Sequence, residues 1–138
     1  MSTRLDDRLG YLLKAAAQAL ARRMEAATRE AGLSLPQYAT LAVLRERPGL
    51  ANADLARAAF VTPQSMGGVL AGLERAGLVR READPAHGRR RPTVLTDAGA
   101  SRLAEAERGV AAVEAALDAG ADGNARGVLR GLLQAMAG

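Results

Sequence analysis

The sequence predicts a mainly α-helical fold with one small β-hairpin, and three observations predict it. Apolar residues recur three and four apart through most of the chain, the spacing of buried helical faces. Only two short runs, Leu78 to Glu82 and Thr93 to Leu95, read as strands. The segment between them, Asp84-Pro85-Ala86-His87-Gly88-Arg89-Arg90-Arg91-Pro92, is punctuated as a turn and holds three adjacent arginines.

Arg4 to Ala31 is expected to form one long helix. Leu5, Leu9, Leu12, Leu13, Ala16, Leu20, Met24 and Ala27 keep near-helical spacing, and Gly32 ends it. The first half has a wide apolar face outside any evident globular core, which points to packing against a partner. Ser34 caps a second helix with Pro36 in its first turn. Tyr38, Leu41, Ala42 and Leu44 form its inner side, and Pro48-Gly49 stops it. Asn52 is expected to cap a short third helix over Ala53 to Ala59, and Phe60-Val61 links tightly into the fourth. Helices two, three and four are thus short and closely joined, as a helix-turn-helix needs.

The fourth helix begins at Thr62-Pro63. A threonine hydroxyl accepts an orphan N–H at the N-cap, and proline at the first helical position loses a donor that had no partner. Met66, Val69, Leu70 and Leu73 mark its buried face, and Gly77 closes it in the left-handed conformation. The opposite face carries Gln64, Gly68, Ala71 and Arg75, with Ser65, Gly67 and Gly72 beside it. A helix so bare either packs on something flat or lies deep in a groove. The cationic hairpin that follows separates those readings. A smooth helix joined directly to a basic hairpin is a winged helix-turn-helix pattern, the helix entering a DNA major groove and the hairpin reaching phosphates or the neighbouring minor groove.

Thr96 caps a long helix from Asp97 to about Leu117, with Leu103, Ala106, Val110, Val113 and Leu117 in a coiled-coil-like seam. Gly120 to Gly123 is a break. Asn124 is expected to cap a last helix with Val128, Leu129, Leu132, Leu133 and Met136 on one side. Gly127 and Gly131 weaken it by about 1 kcal/mol each relative to alanine, so it depends on tertiary or intersubunit packing.

Composition narrows the function. At 138 residues and 49% hydrophobic the chain is most simply one domain with a thin, alanine-rich core. It has no cysteine, which excludes a disulfide scaffold, a cysteine zinc site and thiol-based redox sensing. A single histidine, His87, with no second ligand in sight, reads as a loop residue, and no metal site is expected. No apolar run approaches the roughly 18 residues a membrane span requires. Met-Ser-Thr-Arg-Leu-Asp-Asp-Arg has no signal-peptide apolar region, so a cytoplasmic location is expected. Gly67 to Gly72 lacks the lysine and hydroxyl of a phosphate-binding loop, and the carboxylates lie on helix surfaces without evident pairing. No enzymatic activity and no cofactor are expected. The net charge of +4 is modest, but from Arg75 to Arg91 six arginines stand against Glu82 and Asp84. Clustering around a turn favours a nucleic-acid partner.

The chain resembles the MarR family of bacterial transcriptional regulators nearly end to end. The resemblance rests on helix order, Leu35-Pro36-Gln37-Tyr38, Asn52-Ala53-Asp54-Leu55-Ala56, and Val61-Thr62-Pro63-Gln64-Ser65-Met66. It continues through Leu73-Glu74-Arg75-Ala76-Gly77-Leu78-Val79-Arg80-Arg81 to Asp84-Pro85 and Leu95-Thr96-Asp97-Ala98-Gly99. It implies a single winged-helix domain over residues 1–138, with 33–96 binding DNA and 1–32 and 97–138 intertwining in a homodimer. It further implies repression at a pseudo-palindromic site on double-stranded DNA, and release by a small aromatic or phenolic anion. Two departures narrow the branch. The chain has no cysteine, unlike peroxide sensors, and no tryptophan, unlike urate-responsive members. In the wing, His87-Gly88 stand where members commonly carry an arginine, which moves the cationic residues one step later.

The DNA-binding candidates are Thr62, Pro63, Gln64, Ser65, Gly68, Arg75, Arg81, Arg89, Arg90 and Arg91. Gln64 suits bidentate pairing with adenine. Thr62 and Ser65 suit phosphate contact or capping, and Arg75 lies far enough along the helix to favour phosphate. Arg80 and Arg81 point to opposite sides of a strand, so one of them faces DNA. Arg91 has a second role open to it, bracing the hairpin against Asp84. Tyr11, Tyr38 and Phe60 are expected to pack in the core, with Tyr11 and Tyr38 also candidates for lining an effector pocket. A dimeric protein-interaction module that no longer reads DNA is the alternative that the bare Gly67-Gly68 face leaves open.

Overall fold

The computed structural model describes residues 4–82 and 92–137. After a 3-10 turn at Leu5–Asp7 come α1 (Leu9–Glu30), α2 (Leu35–Glu46), α3 (Asn52–Ala58) and α4 (Pro63–Arg75). Strands β1 (Val79–Arg81) and β2 (Thr93–Leu95) follow, then α5 (Asp97–Gly120) and α6 (Ala125–Met136). The strands pair antiparallel, with Val79 opposite Leu95 and Arg81 opposite Thr93. This is the expected mainly α architecture with a hairpin after the fourth helix.

The N-terminal helix begins later than expected. Arg8 is extended (φ −76°, ψ 134°) and separates the opening turn from α1. Leu5 and Leu9 have helical spacing but are both exposed, so no burial holds the chain helical through Arg8. Two expected caps also differ. Asn52 is the first residue of α3, whose N-cap is Ala51 and has no side-chain bond. At α6, Asn124 makes no capping bond. Asp118 Oδ1, reaching across the break from α5, accepts the Ala125 N–H at 2.9 Å instead. The other caps are as the sequence indicates. Ser34 Oγ accepts the Gln37 N–H while Gln37 Oε1 accepts the Ser34 N–H, a reciprocal capping box.

The core lies where α2, α3, α4 and α5 meet. Leu41, Leu44, Leu55, Met66, Leu70 and Leu103 are its fully buried centre. α1 lies along α5, and α2 bridges that pair to α3 and α4. Two glycines on α5 sit at close approaches. A Cβ on Gly99 would collide with the Leu78 carbonyl oxygen, and one on Gly109 would press on Ala27. Thr93 is buried in the hairpin base, its hydroxyl without a hydrogen-bond partner among the described residues.

Burial fades toward one end. On α5, Leu103, Ala106 and Val110 are buried, Val113 is partly so, and Leu117 is exposed. Leu5, Leu9, Tyr11 and Leu12 are exposed on the N-terminal segment, and Val128, Leu129, Leu133 and Met136 on α6, which buries no residue at all. Among the described residues no helix is long and apolar enough to cross a membrane, and no cluster of three His, Cys, Asp or Glu side chains is placed to hold a metal.

Candidate nucleic-acid interface

Core anchors, an N-terminal cap and a C-terminal closure build and present the outer face of α4. Met66, Leu70 and Leu73 anchor it in the core, each fully buried. Burial of such side chains contributes roughly 1.5–3 kcal/mol apiece, enough to hold a helix whose own glycines disfavour it. Thr62 Oγ1 accepts the Ser65 N–H at 3.1 Å and its hydroxyl donates to Ser65 Oγ at 2.8 Å. At the far end Gly77 (φ 75°) donates to Glu74 O at 3.0 Å and Leu78 to Leu73 O at 2.9 Å. These are the two bonds of a Schellman motif, which stops the helix and turns the chain into β1.

The face left outward is bare. Thr62, Pro63, Gln64, Ser65, Gly68 and Arg75 are all exposed, and the first turn holds no carboxylate. A Cβ built on Gly67 or Gly68 meets nothing within 4 Å, so nothing inside the described chain requires glycine there. Gly72 differs: a Cβ there would lie 3.4 Å from Gln37 Nε2. Gln37 therefore closes the α2 cap and also sits against α4, a positioning role readable from the Ser34-to-Gln37 spacing.

In β1 the two arginines diverge. Arg81 is half-buried with Nε 3.6 Å from Glu74 Oε2 of α4, while Arg80 lies on the other side and pairs with Glu82 at 2.8 Å. Arg81 thus ties the hairpin to α4. Arg89, Arg90 and Arg91, with His87 and Asp84, lie outside the described residues.

A single hydroxyl connects this face to the long helix behind it. Thr96 Oγ1 accepts the Gly99 N–H at 3.0 Å, capping α5, and donates to Gly77 O at 2.7 Å, at the end of α4. A second tie joins α2 to α5, Arg45 Nη1 to Glu107 Oε1 at 2.6 Å.

Two of the three aromatics do not pack as expected, while Tyr38 packs against the core. Phe60 is 97% exposed with φ 55°, and Tyr11 is also exposed. The physical reason at Phe60 is its place at the C′ position of α3, where the left-handed backbone points the side chain away from the helix pair. Tyr11 opens a groove of ≈ 510 Å³ with Leu5, Lys14 and Gln18. Tyr38 is half-buried on α2. Burial, then the Glu107 and Glu114 carboxylates, push its phenol above the ordinary value of 10.0, and Arg45 offsets part of that. The Tyr11 groove is lined by residues between 5 and 18, and Tyr38 is not among them.

A winged helix-turn-helix with a stripped recognition-type helix, held by a hairpin and a long helical arm, defines a DNA-binding regulator. The chain belongs to the MarR family, whose profile matches residues 31–90, and it is a DNA-binding transcriptional regulator. The HTH-type transcriptional repressor Rv2887 of Mycobacterium tuberculosis is 44% identical over 110 residues, covering 80% of this chain and 79% of that one. The Escherichia coli transcriptional regulator HosA is 42% identical over 74 residues, 54% of this chain. Among solved structures, the M. tuberculosis MarR family protein Rv2887 in complex with salicylic acid superposes with a TM-score of 0.76 at 38% identity, covering 94% of this chain and 96% of that one. The transcriptional repressor CouR bound to a 23-mer DNA duplex superposes with a TM-score of 0.87 at 27% identity, over 99% of this chain and 96% of that one.

Proposed function

We propose that this regulator is a homodimeric repressor that occupies a pseudo-palindromic promoter site in the cytoplasm and leaves it when a small aromatic anion binds. The observation that carries the DNA reading is the outer face of α4, bare without internal cause and free of carboxylates in its first turn. Gln64 reads bases from the first turn, and Gly68 lets the helix backbone approach the groove floor. Thr62, Pro63, Ser65 and Arg75 meet the sugar–phosphate walls. Arg89, Arg90 and Arg91 supply cationic contact from the hairpin, with Arg81 bracing it and lending charge. Residues 33–96 form the DNA-binding part, and 1–32 and 97–138 the dimer-forming part. Support for the second part is the belt of exposed apolar residues on the N-terminal segment, the end of α5 and α6.

An aromatic anion as effector fits the company the chain keeps. The related Rv2887 is known in complex with salicylic acid and with p-aminosalicylic acid, and CouR from Rhodococcus jostii RHA1 with p-coumaroyl-CoA. Tyr38, half-buried with a phenol that holds its proton, is the candidate donor to such an anion, and Tyr11 a candidate wall where a second subunit closes its groove.

Selection of duplexes from a random pool tests the reading. The expected product is an inverted repeat with half-sites about 34 Å apart centre to centre. If each subunit engages three or four phosphates, log K falls against log salt with a slope of about −5 to −7. Recovery of no preferred sequence, with a slope near zero, overturns it in favour of a protein-interaction module.

A further inference from the structure

Phe60 is anomalous twice over, and both anomalies lack compensation among the described residues. Its backbone is left-handed (φ 55°), which costs an L-residue with a bulky side chain and is usually left to glycine. The hydrogen bonds explain why that geometry is needed. Phe60 N–H donates to Arg57 O and Val61 N–H to Ala56 O at 2.9 Å, the same paired closure that ends α4. α1 and α4 place glycine at this position, Gly32 and Gly77. Only α3, among these three, carries an aromatic there. The ring recovers nothing by burial, because it is 97% exposed. Strain of this kind persists where it serves a function.

The position says what covers the ring. The other exposed large apolar side chains among the described residues all lie on the N-terminal segment, α5 and α6. Phe60 sits apart from them, on the α3–α4 turn, and α3 packs on α2 and α4 rather than on the long helices. A second copy docking through the apolar belt therefore leaves it open. Two residues further on, Thr62 starts the outward face of α4, so the ring stands at the mouth of the groove that α4 enters. The apolar feature that a major groove presents is the C5-methyl of thymine, and phenylalanine is one of the side chains that packs on it.

We infer that Phe60 is a specificity-determining residue that packs on a thymine methyl at the edge of the bases read by α4. This rests on the DNA-binding reading above. The test uses the full-length protein and the duplex recovered by selection, with each thymine in turn replaced by deoxyuridine, which removes only the methyl. For the wild type, one symmetry-related pair of replacements is expected to weaken binding by roughly fourfold per methyl lost. Phe60→Gly, which relieves the backbone strain and keeps the fold, is expected to bind the thymine duplex about tenfold more weakly. It should be indifferent to deoxyuridine at that pair. Phe60→Leu should keep part of the methyl preference. Equal binding by wild type and Phe60→Gly overturns the inference, as does a loss in Phe60→Gly that leaves deoxyuridine sensitivity intact. In either case the wild type still binds its selected site, so the regulator reading stands. If the wild type selects no duplex at all, both fall together.

Discussion

Tyr38 shows how one side chain can report the packing around it. Its phenol is held above the usual titration range chiefly by burial, and then by Glu107 and Glu114. The folded state therefore binds that proton more tightly than the unfolded chain does. The associated stability is fully present below the unfolded value near 10.0 and is lost as pH rises through the higher folded value. Tyr38→Phe is expected to remove that alkaline step, read as a smaller loss of unfolding free energy between pH 9 and pH 11 (roughly, from the unperturbed tyrosine value) in urea titrations. An alkaline step of unchanged size in the variant would place its origin elsewhere. Little of this was legible beforehand. Tyr38 sits at a helical apolar position, but the carboxylates that face it come from α5, some seventy residues on, and no local pattern announces them. Phe60 departs from its expected place in the core for a related reason. An aromatic between two short helices suggests core, and only the closure of α3 at that residue turns it outward.

At the scale of elements, glycines divide by what surrounds them. Gly99 lies at the start of α5 against the Leu78 carbonyl, where a Cβ has no room. Gly99→Ala is expected to destabilise the fold by roughly 1–3 kcal/mol through overpacking, seen as a lower denaturant midpoint with little change in slope. Gly68 has open space around it. Gly68→Ala is expected to raise stability by about 1 kcal/mol, because alanine is the better helix former. On the DNA-binding role proposed above, the same methyl meets the groove floor, so DNA affinity should fall while stability rises. A variant that gains stability and keeps full affinity would show that α4 does not enter closely at Gly68. Element type and order were readable from periodicity, Thr-Pro and Ser-Leu-Pro starts, and glycine stops. The unreadable parts were those decided by contacts between elements: the extended Arg8, the Asp118 cap that displaces Asn124, and the hold of Glu74 on Arg81.

For the whole molecule, the distribution of apolar surface governs assembly. α6 has a continuous apolar side and no buried residue, and two glycines lower its intrinsic helicity. Isolated helices of its length are marginal in water, so its order depends on what covers that side. Leu133→Glu is expected to shift the protein to monomer at micromolar concentration in sedimentation analysis and to reduce helical circular dichroism, while Leu41 and its neighbours keep the winged part folded. A dimer unchanged by Leu133→Glu would move the interface off α6. The paired apolar faces at both ends of the chain were visible in the sequence; that they lie together at one end of the fold was not, since it depends on α1 running beside α5.

The Thr96 hydroxyl, bonded at once to the Gly77 carbonyl just beyond α4 and to the first turn of α5, gives the long helix a mechanical meaning. With 24 residues, α5 is a rod of about 36 Å. A tilt of about 5° at its far end displaces the winged part attached at Thr96 by about 3 Å over that length. An offset of that size is comparable to the spacing of adjacent base pairs. A small tilt at the α6 end of the rod is thus geared up on its way to α4, with no unfolding of either helix.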